Sequence, residues 1–595
     1  MFRVKFLIAA LATVGITAAA APSREDKPEF IGLGNAFCRT PAGNPANYKL
    51  LLKVAQPQNE LKPFSRAQEM TSSPLSQEDD PPLWDNLGWL KWPISTEDKL
   101  AQLYFNQGLS LTYGFNHDEA RRAYRKAQKL DPECAMCYWG EALVLGPNIN
   151  APMVPEANAP ALAALEKARE FAPRASPFEQ ALIGALAERY SANPEAKRNE
   201  LDSAYADAMA KVAARFPNDQ HISALYAESL MDLSPWDYWE AGGARPKGKT
   251  GEILKTLERI LAANPNHPGA IHYYIHVVEA SANPKRALPY ARRLGELIPG
   301  AGHLVHMPFH IFYRVGLYKE AIEANKAAVV ADENYLSQMQ ATGLYPQGYY
   351  PHNVHSLMAS AQMAGDGETA ISAAEKLQGI VSTDAARNIP WVQPIVVAPY
   401  FAHAQFSAAE TILAIPDPGG DLPYVKAMWH YARGVAFARN GDLQAARGEL
   451  DAISALGQTL EIASLNANGI PASDVLKIAQ HVVRARIAQS SGDLAAAISE
   501  FESAARLEDA LAYSEPPYWY YPVRQSLGAA LLAAGKLDQA EQAFRASLAR
   551  SPNNGWALYG LQKVFEKRGD RTQARTSKKI FDQAWADDPL SLAQL

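Results

Sequence analysis

Eight of the 13 histidines in this 595-residue sequence fall between His267 and His355, and their spacing says more than their number. In HPGAIHYYIHVVEAS, His272 and His276 stand four apart with Glu279 three further on, which puts all three on one face of a helix. In GHLVHMPFHIFYRVG, His303, His306 and His310 follow at intervals of three and four, and in YYPHNVHSL, His352 and His355 are three apart. Imidazole nitrogen is a borderline ligand suited to copper, zinc, iron or nickel, and two imidazoles one helical turn apart can share an ion. His272, His276, Glu279, His303, His306, His310, His352 and His355 are therefore the candidate ligands of a transition metal of the copper, zinc or iron kind.

A carboxylate near such a cluster has three uses: ligand, anchor of a histidine tautomer, or general base. Glu279 fits each, and Glu228 or Asp232 on the preceding helix pair could do the same. Tyr273, Tyr274, Tyr349 and Tyr350 place phenols beside the rings, with Tyr273 and Tyr349 as candidate ligand-binding groups. The competing account is a polar groove that hydrogen-bonds an organic ligand or peptide without metal. It must explain why polar rings recur on one inner surface, where each one buried without a partner costs about 1–3 kcal/mol.

Other constellations are weaker. Cys134-Ala-Met-Cys137 has the spacing of a haem-attachment motif but Tyr138 stands where histidine is needed, so packing thiols at a helix start are expected, with a redox pair as the alternative. In EPPYWYYPVRQSLG, Glu515, Tyr518 and Arg524 are candidate ligand-binding residues, an acid and a guanidinium among aromatic rings that suit a ring or a peptide carboxylate. No phosphate-binding glycine loop, HExxH or GxSxG occurs, which leaves common nucleotide and hydrolase chemistries unsupported. No catalytic residue is assigned.

These residues need a scaffold that sets helix beside helix. From Ala101, AQLYFNQGLSLTYGFNHDEARRAYRKAQKLDP reads as two amphipathic helices with small residues at Gly108, Ala120 and Ala127 where they approach, and Pro132 as the stop. SLGAALLAAGKLDQAEQAFRASLARSP repeats the pattern with Gly528, Ala540, Phe544 and Pro552, and SSGDLAAAISEFESAARL is a third copy. These segments resemble the tetratricopeptide (TPR) motif. Degenerate helix pairs are expected near 219–263, 267–298, 302–331, 350–378 and 425–456. The fold class is thus all-α, a TPR-like helical-repeat superhelix (α-solenoid) with an irregular N-terminal extension and Pro- and aromatic-rich insertions at 146–160, 234–251 and 388–400. First helices should line a concave wall that carries the histidines.

The blocks CAMCYWGEALVLGPNINAPM, HPGAIHYYIHVVEAS, GHLVHMPFHIFYRVG and EPPYWYYPVRQSLGA together resemble a family of exported bacterial TPR proteins. That resemblance implies the superhelix and, as for TPR arrays generally, an adaptor that holds a protein or peptide in its groove. It implies no chemistry.

Along the chain, Arg3 and Lys5 precede an apolar stretch and small residues, so 1–21 is expected to be a signal peptide and the mature protein periplasmic or secreted, with no transmembrane segment. The expected order continues with an irregular extension at 22–98, N-terminal repeats at 99–218, histidine-bearing degenerate repeats at 219–380, an irregular insertion at 381–424 and C-terminal repeats at 425–595. Trp84, Trp89 and Trp92 should dock the extension. Hydrophobic residues at 48% support a continuous core, and a net charge of −6 without a basic run argues against a nucleic-acid partner. The leading expectation is a metal-binding exported superhelix with redox or hydrolytic capacity; the alternative is a metal-free scaffold for a protein or peptide partner.

Overall fold

The first repeat begins where the Asp98 carboxylate accepts the amide N–H groups of Leu100 and Ala101, and α1 (Lys99–Tyr113) runs from that cap. A turn at Gly114–Asn116 reverses the chain into α2 (His117–Leu130), which carries its apolar stripe toward α1. Helix then follows helix, and among the described residues the β pairing consists of two isolated bridges. The computed structural model describes residues 80–586, all within one unit; the segments 1–21 and 22–79 lie outside the described residues.

The expected helix pairs are present. The central ones are α3 (Pro268–Glu279) with Leu288–Leu297, then α4 (Gly302–His306) and α5 (Pro308–Arg314) with α6 (Tyr318–Gln338), then α7 (Tyr350–Ala364) with Gly367–Ile380. Near the C-terminus, α8 (Val523–Ala533) and α9 (Leu537–Arg550) form the cleanest repeat, with Phe544 wedged against Gly528. A helix pair alone would expose one apolar face, and stacking merges these faces into one core from Leu87 to Ala574.

Four expectations change. The stretch 381–424 is short helices rather than irregular chain, among them Thr383–Asn388 and Ala398–Phe406, because Ile389, Trp391 and Phe401 are buried and hold them in the core. Trp92 docks the extension at 3% exposure, but Trp89 is 90% exposed and docks nothing. Cys134 and Cys137 are not packing thiols; they form a buried disulfide. Finally, the inner wall is not an open groove. Distant repeats close over it: the Tyr335 hydroxyl donates to Glu119, Asn553 donates to the Gly316 carbonyl, and the Ala586 amide donates to the Ala364 carbonyl.

Candidate metal centre

The central helices bring six imidazoles together as two adjoining trios, His272 with His276 and His303, and His306 with His310 and His352; in each trio the ligand atoms lie within 4.8 Å of one another. All six side chains are 0% exposed. Met307 separates α4 from α5, and His303 serves one trio while His306 and His310 serve the other. The trios touch, with ring centroids of His276 and His310 5.4 Å apart and those of His303 and His306 5.9 Å apart.

Four of the six rings are oriented by a polar contact at the outer nitrogen. The Nδ1–H of His272 donates to the Tyr113 carbonyl at 2.7 Å, and that of His306 donates to Asn325 Oδ1 at 2.6 Å. Asn325 is itself oriented, since its amide N–H donates to the Ala321 carbonyl. Glu279 spans the two trios: Oε1 lies 2.9 Å from His276 Nδ1 and Oε2 lies 2.9 Å from His310 Nδ1. A proton held at Nδ1 leaves the lone pair at Nε2, and the Nε2 atoms face inward. They crowd there, with His306 and His310 at 3.0 Å, His306 and His352 at 3.1 Å and His272 and His303 at 3.2 Å. The buried Nε2 of His276 has no hydrogen-bond partner among the described residues.

Electrostatics favours the neutral form at four of the donors. Burial, followed by repulsion from neighbouring imidazoles, holds His272, His303 and His352 well below the ordinary histidine range, and burial brings His276 down to about 4 against the opposing pull of Glu279. Burial pushes the Glu279 carboxyl up, but the imidazoles of His310 and His276 outweigh it and hold the group ionised. The site therefore gathers six imidazoles around one shared anion.

Packing fixes the helices that carry the rings. Gly269 lies so close to Tyr113 that α3 seats directly on α1, and Gly302 lets α4 sit on Asp332, whose carboxylate accepts from Tyr345 at 2.8 Å and Asn353 at 2.7 Å. Phe115, at φ 55°, stacks on His303 and lies 4.5 Å from His272; Trp236, at φ 66°, meets His276 edge-on at 4.9 Å. Two non-glycine residues in the left-handed region, both on the first trio, are the backbone cost of roofing it.

Other expected site residues fall elsewhere. His355 bonds the Tyr520 hydroxyl rather than joining a trio, and Glu279 orients two histidines instead of facing the trio centres. Tyr349 packs 4.7 Å from His303, and Tyr273 packs on Tyr113 and Phe115. Tyr274 and Tyr350 point away to Glu258 and Glu333. Glu228 and Asp232 belong to a separate buried charge cluster around Arg189. Glu515 and Tyr518 line a cavity beside the centre, while Arg524 pairs with Asp509 outside it. The sequence reading missed Tyr113, Phe115, Asn325 and Trp236.

No curated protein sequence matches the chain. Among solved structures, a human IFIT1 dimer with PPP-AAAA is similar at 14% identity over 83% of this chain and 92% of that one, with a TM-score of 0.29. Yeast Tom70 is similar at 14% identity over 83% of this chain and 93% of its own, with a TM-score of 0.24. Family models match at two places, both described as tetratricopeptide repeat: residues 101–134 and 531–594 are TPR repeats.

Proposed function

We propose that this chain is an exported TPR protein that holds two transition-metal ions side by side, one in each histidine trio, and that copper is the metal. The observation that carries the reading is the outward tethering of four Nδ1 atoms while the Nε2 atoms crowd inward at 3.0–3.2 Å. Lone pairs so placed repel one another unless a proton or a cation lies among them, and an unpaired buried polar group costs about 1–3 kcal/mol. Six imidazoles gathered in two touching trios are the donor set that a cation in each trio would share.

Charge favours copper. The trios supply no anionic ligand, and Glu279 supplies a single negative charge to both. Two cuprous ions leave a small net charge in this dry interior, whereas two zinc ions leave a larger one that burial penalises. Three imidazoles also suit copper by ligand type, and copper stands at the top of the divalent affinity order. Such a pair supports redox chemistry on dioxygen. TPR repeats also support a protein-interaction role, which here falls to the outer surfaces of the array.

The test is elemental analysis of the protein purified from its native compartment without chelators, beside His272→Ala and His306→Ala. Two equivalents in the wild type, reduced in each variant, is the expected result. Equal metal content in all three proteins would remove the proposal.

A further inference from the structure

Organic reductants cannot touch imidazoles that are 0% exposed, so electrons from such a molecule must cross the groups around the metal pair. Glu279 has one such outward link. The Tyr513 hydroxyl donates to Glu279 Oε2 at 3.0 Å and lies 3.1 Å from Glu515 Oε1. Tyr513 and Glu515 line a cavity of about 460 Å³ walled by the rings of Tyr313, Tyr518, Trp519 and Tyr520, and its rim is exposed at Ala512 and Arg550. The Trp519 side chain is 2% exposed, yet its Nε1–H has no hydrogen-bond partner among the described residues. Aromatic walls, a carboxylate acceptor and an unpaired buried donor together suit a planar ring bearing two oxygens.

We infer that this cavity binds an aromatic diol of the hydroquinone class, and that Tyr513 and Glu279 conduct its electrons to the metal pair; the inference rests on the copper reading above. The diol donates a hydroxyl proton to Glu515 and accepts from Trp519 Nε1–H. On oxidation it loses two electrons and two protons and becomes the quinone. Each of two cupric ions takes one electron and becomes cuprous, and the protons leave to water at the rim. Tyr513 is a positioning residue that joins the cavity to the anion shared by both trios.

Methylhydroquinone tests this in two ways. Calorimetric titration of the metal-free protein should show saturable binding that Trp519→Phe weakens by about tenfold, the loss of one hydrogen bond. Anaerobic mixing with the copper(II)-loaded protein, followed by the loss of cupric absorbance, should show a rate that saturates with diol concentration. Tyr513→Phe should slow the rate reached at saturating diol by about tenfold or more while copper content stays as in the wild type. A Tyr513→Phe protein that holds two coppers and is reduced at the wild-type rate overturns the electron path, and absent or unsaturable binding overturns the diol site. A wild type that retains no copper sinks the metal reading and this path together, an outcome distinct from either.

Discussion

A methyl group on Gly269 would lie 2.4 Å from the Tyr113 ring, so the contact between α3 and α1 admits no side chain at this position. The same Tyr113 offers its carbonyl to His272, which makes helix packing and ligand orientation one event. Gly269→Ala should cost about 1–3 kcal/mol in denaturant unfolding, the range for overpacking, and should lower metal content at the first trio. Unchanged stability with full metal content would show that α3 can shift without consequence.

Glu279 holds one histidine of each trio with separate oxygens. In Glu279→Gln one of those oxygens becomes an N–H donor facing an N–H donor, and the shared charge is lost. Metal affinity should fall by about 10- to 100-fold at both sites, as measured by competition with a chelator. A fall confined to one ion would mean that the carboxylate supports one trio only.

His352 and His355 give a sharp contrast. His352→Ala removes a member of the second trio and should reduce bound metal, whereas His355→Gln leaves both trios intact and should retain the wild-type content. Elemental analysis of the two variants reads the difference, and metal loss in His355→Gln would place this ring at the centre after all.

Glu228 titrates apart from the metal site. Burial raises its carboxyl from 4.5 to about 7, against the pull of Arg189. An acid with a raised folded pKa binds its proton more tightly in the folded state, so its stabilising contribution is full below pH 4.5 and is lost as pH rises toward 7. The shift corresponds to about 3 kcal/mol. Glu228→Gln keeps a neutral side chain at every pH, and its unfolding free energy should fall less than that of the wild type between pH 4.5 and 7. Parallel curves for the two proteins would show that Glu228 is already ionised in the folded state.

The helix pairs and the histidine spacing were legible because both are local patterns: 3.6-residue periodicity, small residues at helix crossings, and intervals of three and four. What the spacing could not give was the choice between His352 and His355, which lie on one face of the same helix about a turn apart, only the former entering a trio. Nor could it show Tyr113 reaching His272 across 159 positions, because that contact depends on how the repeats stack. Asn325 did leave a trace: it is a polar residue among the buried Ala321, Ile322, Ala328 and Val329 of α6. The covered inner wall was hidden because curvature accumulates in small steps over many repeats.

The two trios draw on α3, α4, α5 and α7, which belong to three successive helix pairs. Repeat arrays usually grow or shrink by whole units, since each unit needs only its neighbours. Here a unit gained or lost between Pro268 and Ala364 would move donors out of register and break the trio that spans the change. The array's freedom to change length is confined to its flanks, and its middle has the fixed count of an ordinary globular domain.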